Sequence, residues 1–250
     1  MEINSSINIL GSIKDLELVI HFLIGSIEGD VLFKGSQPYT SVKTTQSFNR
    51  YGRVIRGVLL KSRKSEIELL LGTMLRNESI SLDSQLFLFW NSATNDDLLN
   101  YLNAKVFFPA FYSGRLVLRA DEVAACIKEL RETEEVIRGW SASTLETVAG
   151  KYLTLLKKFN LLEGTLNKKI LHPYLSDKMF VLFLYWLKAN EAKSNILESE
   201  WLKYSFCEQP VFLERVMQKK FADFYEFTYT VDQLKIDPLI PYKDIYHACK

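Results

Sequence analysis

Apolar residues along this chain recur mostly at helical spacing. The clearest run lies past the middle, where Leu145, Val148, Tyr152, Leu155, Leu156 and Phe159 share one side of a helix. Ser143 and Glu146 precede that run as a capping box, with Ser143 as N-cap and Glu146 at N3. The opposite side reads Thr144, Thr147, Lys151, Thr154 and Lys158, which is polar and free of acids. The same periodicity predicts helices over about 13–24, 45–61, 65–75, 82–90, 96–102 and 121–131. Ser65 and Asp96 are suited to helix starts. Residues 25–43, with Gly25, Gly29, Gly35 and Pro38, read as a loop. Pro109 and Gly114 are expected to interrupt the aromatic stretch from Phe107 to Tyr112.

The C-terminal third changes period. A strongly apolar helix is predicted over 178–189, followed by helices at 198–204 and 209–221. Residues 224–231 then alternate, which favours a strand, and 234–240 read as its partner through Asp232 and Gln233. A closing helix is expected over 242–249. Helix, helix, helix, hairpin is the order of a winged helix. Residues 140–175 offer a similar pattern, with a wing over 165–173. The expected fold is mainly α. A helical N-terminal part (1–135) precedes winged-helix-like modules with short β-hairpins (136–250).

Composition adds mainly exclusions. With 48% hydrophobic and 24% charged residues, the 250-residue chain is an ordinary globular one. Cys126, Cys207 and Cys249 are too scattered for a disulfide framework, and His21, His172 and His247 form no zinc spacing. No glycine-rich phosphate loop and no Gly-x-Ser-x-Gly elbow occur. Asp96-Asp97 and Glu134-Glu135 are adjacent pairs whose side chains diverge on a helix. The chain is therefore expected to be non-enzymatic, without cofactor, metal or small-molecule substrate. The longest apolar run, Met179 to Leu187, is too short to span a bilayer, and no signal peptide is evident. A cytoplasmic protein without a membrane partner is expected.

Charge is where the sequence becomes informative. The formal total is only +1, but residues 31–65 carry eight bases and no acid. Residues 136–175 carry six bases and two acids, whereas 66–135 carry six bases and twelve acids. Two basic islands in an acidic background point to a polyanion. In the first island Arg50, Arg53 and Arg56 fall on one helix face, and Lys61, Arg63 and Lys64 extend it. Val54, Val58 and Leu59 turn to the core there, with Ile55 nearer the flank. Neutralising phosphates is one use for this row, and pairing with the acidic segment is the other. In the second island Ser141, Ser143, Thr144, Thr147 and Lys151 suit a recognition helix, and Lys168 and Lys169 suit a wing that follows the backbone. An ordinary amphipathic surface helix shows the same stripe. Tyr225, Phe227 and Tyr229 read as a half-buried strand rather than a stacking site.

The segment GWSASTLETVAGKYLTLLKKFNLLEG, from Gly139 to Gly164, resembles the corresponding helix of the BrxA family, small accessory proteins of BREX phage-defence systems. The arginine-bearing stretch from Thr44 to Leu75 and the closing helix-hairpin-helix fit the same resemblance, which covers about 40–250. It implies a mainly helical, non-catalytic protein with winged-helix-like modules that binds double-stranded DNA beside other defence-system subunits. A similarity of that family to a NusB-type helical fold leaves RNA open. An assembly adaptor that binds protein is the alternative.

Overall fold

The computed structural model describes residues 3–28, 42–191 and 193–249, with backbone alone for 25–28. Most of the predicted 25–43 loop lies outside the described residues. Chain contacts define two units, one of Met1–Lys61 with Glu78–Leu171, the other of Ser62–Asn77 with His172–Lys250.

The first unit is largely helical. Its N-terminus forms a short helix α1 (Ile7–Leu10) and then α2 (Glu17–Glu28), where sequence predicted one helix over 13–24. The Asp15 carboxylate accepts the Glu17 N–H at 2.9 Å and starts α2 late. The basic helix α3 (Thr45–Val54) begins where Thr44 accepts the Ser47 N–H. It widens into a π turn over Ile55–Leu60. Next in this unit come α5 (Leu82–Asn95) and α6 (Asp97–Leu102). Asp96 is the N-cap of α6, as its place in the sequence predicts.

The aromatic stretch is not interrupted at Pro109. A second π turn (Asn103–Phe107) leads into α7 (Phe108–Tyr112), and Pro109 occupies its first turn. The helix runs on through the proline from the wider π turn, in which the Phe108 N–H reaches five residues back to the Asn103 carbonyl. Strand β1 (Val117–Leu118), α8 (Ala120–Thr133), α9 (Glu135–Arg138), α10 (Ala142–Lys158), β2 (Leu162–Glu163) and β3 (Lys168–Ile170) complete the unit. The strands form an antiparallel sheet in the order β1-β3-β2, with Val117 opposite Lys169 and Leu162 opposite Ile170. Phe89, Phe107, Tyr152 and Phe159 are fully buried in this unit. The Tyr152 hydroxyl donates to Asn103 Oδ1 at 2.9 Å, which satisfies the one polar atom that ring brings inside.

The second unit takes α4 (Ser65–Glu78) from mid-chain and builds the rest on α11 (Asp177–Asn190). Residues Met179 to Leu187 of α11 are buried all round. The predicted helix at 198–204 is instead a pair of 3-10 turns, Ile196–Glu198 and Leu202–Ser205. The predicted 209–221 helix stops early: α12 spans Gln209–Val216, and a 3-10 turn (Lys219–Phe221) follows. That break turns Phe221 inward, stacked on Tyr225 at 6.2 Å. Arg215 is buried, donates to the Leu175 carbonyl at 2.6 Å, and lies over the Phe180 ring at 4.3 Å. A hairpin of β4 (Tyr225–Thr230) and β5 (Gln233–Pro238) precedes α13 (Tyr242–Ala248). Gln233 pairs with Thr230, so Val231 and Asp232 form the two-residue turn, one position before the predicted one.

Candidate nucleic-acid interface

The first basic island is placed by α3 and its π turn. Arg50, Arg53 and Arg56 are all exposed, while Val54, Ile55, Val58 and Leu59 are buried. Ile55 is fully buried and not on the flank as predicted. It stands three and four residues before Val58 and Leu59, and so shares their buried face. The end of the π turn is held from α5. Asn91 donates to the Leu59 and Lys61 carbonyls at 2.7 and 2.6 Å, and Asn95 donates to Lys61 and Val58. Carbonyls at a helix end have no intrahelical donor, and two amides supply it here. The Arg56 guanidinium lies 5.2 Å from the centroid of Phe22, a cation–π contact.

Among the described residues, no carboxylate pairs with Arg50, Arg53, Arg56 or Lys61. The acidic stretch closes its ion pairs internally, Arg115 with Glu122 and Arg119 with Asp121 at 2.8 Å. The pairing expected as an alternative use of the arginines is therefore absent there. Arg63 and Lys64 belong to the second unit, in the turn before α4, and are exposed. The Glu66 carboxyl is held below its ordinary range by its own backbone amide and Ser65, with help from Lys64.

The second island differs from its sequence reading. Helix α10 starts at Ala142 with Ser141, not Ser143, as N-cap, and Ser141 Oγ accepts the Thr144 N–H at 3.2 Å. The predicted box of Ser143 and Glu146 does not form. Ala142 extends the helix backward, and the hydroxyls of Ser141, Ser143 and Thr144 knit together at 2.9 Å. Thr147 donates to the Ser143 carbonyl at 2.7 Å, and Thr154 to Gly150 at 2.8 Å. The apolar face is buried as predicted, Leu145 through Phe159.

The polar face is only partly open. Helix α1 crosses it on the Lys151 side, where a Cβ at Gly11 would stand 2.7 Å from the Lys151 carbonyl and 2.8 Å from its Cβ. Lys158 donates to the carbonyls of Leu10 and Gly11 at 3.0 and 2.9 Å, and so caps α1. Burial, with Lys151 nearby, pulls the Lys158 ammonium down to about 8. Thr144, Lys151, Thr154 and Lys158 are half-buried, while Ser143, Glu146, Thr147, Gly150 and Lys157 are open to solvent. An acid thus sits on the open face, which the sequence predicts to be acid-free. Gly11 is the signal that was available, since a glycine just after an apolar helical turn fits a close approach.

The hairpin after α10 carries Lys168 and Lys169 on β3. Lys169 is exposed. Lys168 is half-buried and donates to the Gly164 carbonyl at 3.2 Å, as Lys157 does at 3.1 Å. Desolvation, then Lys157, lowers the Lys168 ammonium below its ordinary value. Gly164 adopts φ +88, and a Cβ there would meet the Asn167 carbonyl at 2.3 Å, so only glycine makes this turn. Lys157, at the base of the hairpin, is the basic residue that the sequence pattern does not single out. Its position becomes visible only with the true phase of α10. Residues Arg50, Arg53, Arg56, Lys61, Ser141 to Lys151, Lys168 and Lys169 all belong to the first unit.

Among the described residues no cluster of three metal-ligating side chains occurs, and no helix is long and apolar enough to cross a membrane. Comparison with known families matches residues 42–184, more than half of the chain, to the model named BrxA. No curated protein and no solved structure matches.

Proposed function

The chain belongs to the BrxA family, and from that premise we propose that it serves a BREX phage-defence system as a non-enzymatic accessory protein that binds double-stranded DNA, mainly through phosphates. The observation that carries this reading is the exposed arginine row of α3, which has no carboxylate partner among the described residues. Like charges held together on a fixed helix repel, and phosphates relieve that repulsion while releasing condensed counterions. The order β1, α8, α9, α10, β2, β3 with strand order β1-β3-β2 supports a winged-helix module, in which α10 is the recognition helix and β2-β3 the wing. Exposed Lys169, and Lys157, which is exposed but places one donor on the Gly164 carbonyl, are then the phosphate contacts of that module. Ser141, Thr147 and Lys168 are largely engaged within the protein. Sequence preference is weak, because α10 presents no arginine, asparagine or glutamine to read base edges.

The test is fluorescence anisotropy of a labelled duplex at several salt concentrations, with the double reversal Arg53→Glu and Arg56→Glu. Each lost phosphate contact reduces the salt slope by about 0.9, so the double variant binds far more weakly and with a flatter dependence. A folded double variant with wild-type affinity and slope refutes the assignment. The Glu146 carboxylate on the open face of α10 favours the second reading, an adaptor that uses α10 to hold a protein subunit. In that case duplex affinity is negligible even at low salt, while partner subunits co-purify.

A further inference from the structure

The hairpin of the second unit has two unlike edges. Leu239 donates to the Phe224 carbonyl across the ladder, so Glu226, Thr228 and Thr230, two steps apart, also aim their backbone groups at β5. The outer edge of β5 is covered at its start, because Asn195 Oδ1 accepts the Leu234 N–H at 3.0 Å and Asn195 donates to the Asp232 carbonyl at 2.8 Å. Tyr225, Phe227 and Tyr229 aim their N–H and C=O groups away from β5, and among the described residues no strand pairs with β4 on that side. Phe227 and Tyr229 are each 41% exposed, and Val231 at the turn is 87% exposed. The strand reads Tyr-Glu-Phe-Thr-Tyr-Thr, with one charge and no proline. An edge of this kind is a template for another strand, and apart from the single charge of Glu226 it carries no proline and no bulge to blunt it.

We infer that β4 pairs antiparallel with β4 of a second copy of this chain, about a twofold axis through Thr228. In that register Phe227 faces the second copy's Tyr229, Thr228 faces itself, and Glu226 faces Thr230. Aromatic pairs and threonine pairs are favoured cross-strand neighbours, and no like charges meet. Registers centred one residue either way are worse. Centring on Tyr229 sets Glu226 against Asp232, and centring on Phe227 sets buried Tyr225 against Tyr229. The outward groups of Phe227 and Tyr229 become the hydrogen-bonded pairs of the new ladder. The same register brings the second copy's Val231 opposite Tyr225. There a cavity of about 550 Å³ is lined by Met217, Lys219, Phe221 and Tyr225. The most exposed apolar residue of the turn thus meets the apolar part of that recess, Met217, Phe221 and Tyr225, and the neighbouring Asp232 arrives on its polar side, where Lys219 stands with Glu226 and Asp237. The contact is self-complementary, as a twofold interface must be.

Sedimentation equilibrium of the full chain tests this with Thr228→Lys and Thr228→Glu. Thr228 is exposed and its side chain lies on the face away from Leu234 and Ile236, so both variants keep the fold, checked by far-ultraviolet circular dichroism. The expected result is a concentration-dependent dimer for the wild type, monomers for each variant alone, and a dimer again when the two variants are mixed. Capture of an unrelated strand predicts no such rescue. A wild type that stays monomeric at millimolar concentration overturns the inference, as does a Thr228→Lys chain that dimerises like wild type, or a mixture that stays monomeric. Thr228→Cys gives an independent readout on an uncharged chain. The opposed Cα atoms lie about 4.5 Å apart in such a pair, inside the span of roughly 4.4–6.8 Å that a disulfide bridges. Oxidation then links two copies through residue 228, and the absence of that link above the wild-type background counts against the register.

Discussion

Replacing Gly11 by alanine tests how the chain start is joined to α10. The backbone at Gly11 is ordinary, with φ −63, so the substitution introduces no conformational strain of its own. The new methyl meets the Lys151 carbonyl at 2.7 Å, the Lys151 Cβ at 2.8 Å and the Ile7 carbonyl at 3.0 Å. Each contact falls ~0.5–1 Å inside ordinary van der Waals separation. Two of the three atoms are backbone, so relief requires α1 to move off α10. Such a shift stretches the 3.0 and 2.9 Å bonds from Lys158 and loosens buried Ile7 and Leu10. Overpacking of this kind costs about 1–3 kcal/mol. For a chain of this length ~2 kcal/mol corresponds to a fall in Tm of about 4–8 °C. Gly57→Ala is the matched control. That glycine is exposed, and nothing lies within 4 Å of the place its methyl carbon would take, so the same chemical change is expected to stabilise by ~0.4–1 kcal/mol. Urea denaturation of both variants is the assay, with the Lys158 pKa followed by NMR. That pKa is expected to climb back from about 8 as its burial is relieved. A Gly11→Ala chain no less stable than the Gly57→Ala chain refutes the close approach.

Three further outcomes are expected. Asp96 is buried, and desolvation raises its carboxyl from 3.8 to about 6 despite two backbone N–H donors, Ser6 and Leu99. The folded state therefore holds that proton more tightly than the unfolded chain, so stability falls as pH rises from about 4 to 6, by ~3 kcal/mol. Asp96→Asn keeps the cap and flattens that stretch of the pH profile. Asn91→Leu strips the Leu59 carbonyl of its amide donor and Lys61 of one of two. It is expected to destabilise by about 1–3 kcal/mol in urea denaturation and to weaken duplex binding through the arginine row. Tyr152→Phe removes the hydroxyl that donates to buried Asn103 Oδ1 and is expected to cost about 0.5–1.5 kcal/mol by the same measurement.

The pattern of apolar positions was enough to locate most helices, the buried face of α10 and the β4–β5 pair, because each follows from local period and burial. What it missed depends on residues distant in sequence. The local signal, Glu146 three residues after Ser143, pointed to the wrong one of two hydroxyls ahead of the same apolar run. The outcome was decided by Ala142 joining the helix. The shielding of Lys151 and Lys158 comes from residues nearly 150 positions earlier. The π turns at 55–60 and 103–107 have no compositional mark. For the candidate interface, the exposure of Arg50, Arg53 and Arg56 was legible in the sequence. Whether acids neutralised them was not, because that depends on which side of the fold the acidic segment faces.

The layout of the two units also governs which pieces of this protein can be handled alone. The stretch that carries the family pattern, 42–184, is not one of them. Cutting there discards Ser6 and Asn4, which bond Asp96 and Asp97 at the start of α6, and discards the helix that Lys158 caps. It also leaves α4 and part of α11 without the hairpin and closing helix of their own unit. During synthesis α4 emerges long before the segments from residue 172 onward that complete its surroundings. Its buried residues Ile67, Leu70, Leu71 and Met74 therefore leave the ribosome well ahead of most of the unit to which α4 belongs, a stage at which exposed apolar surface invites misassociation.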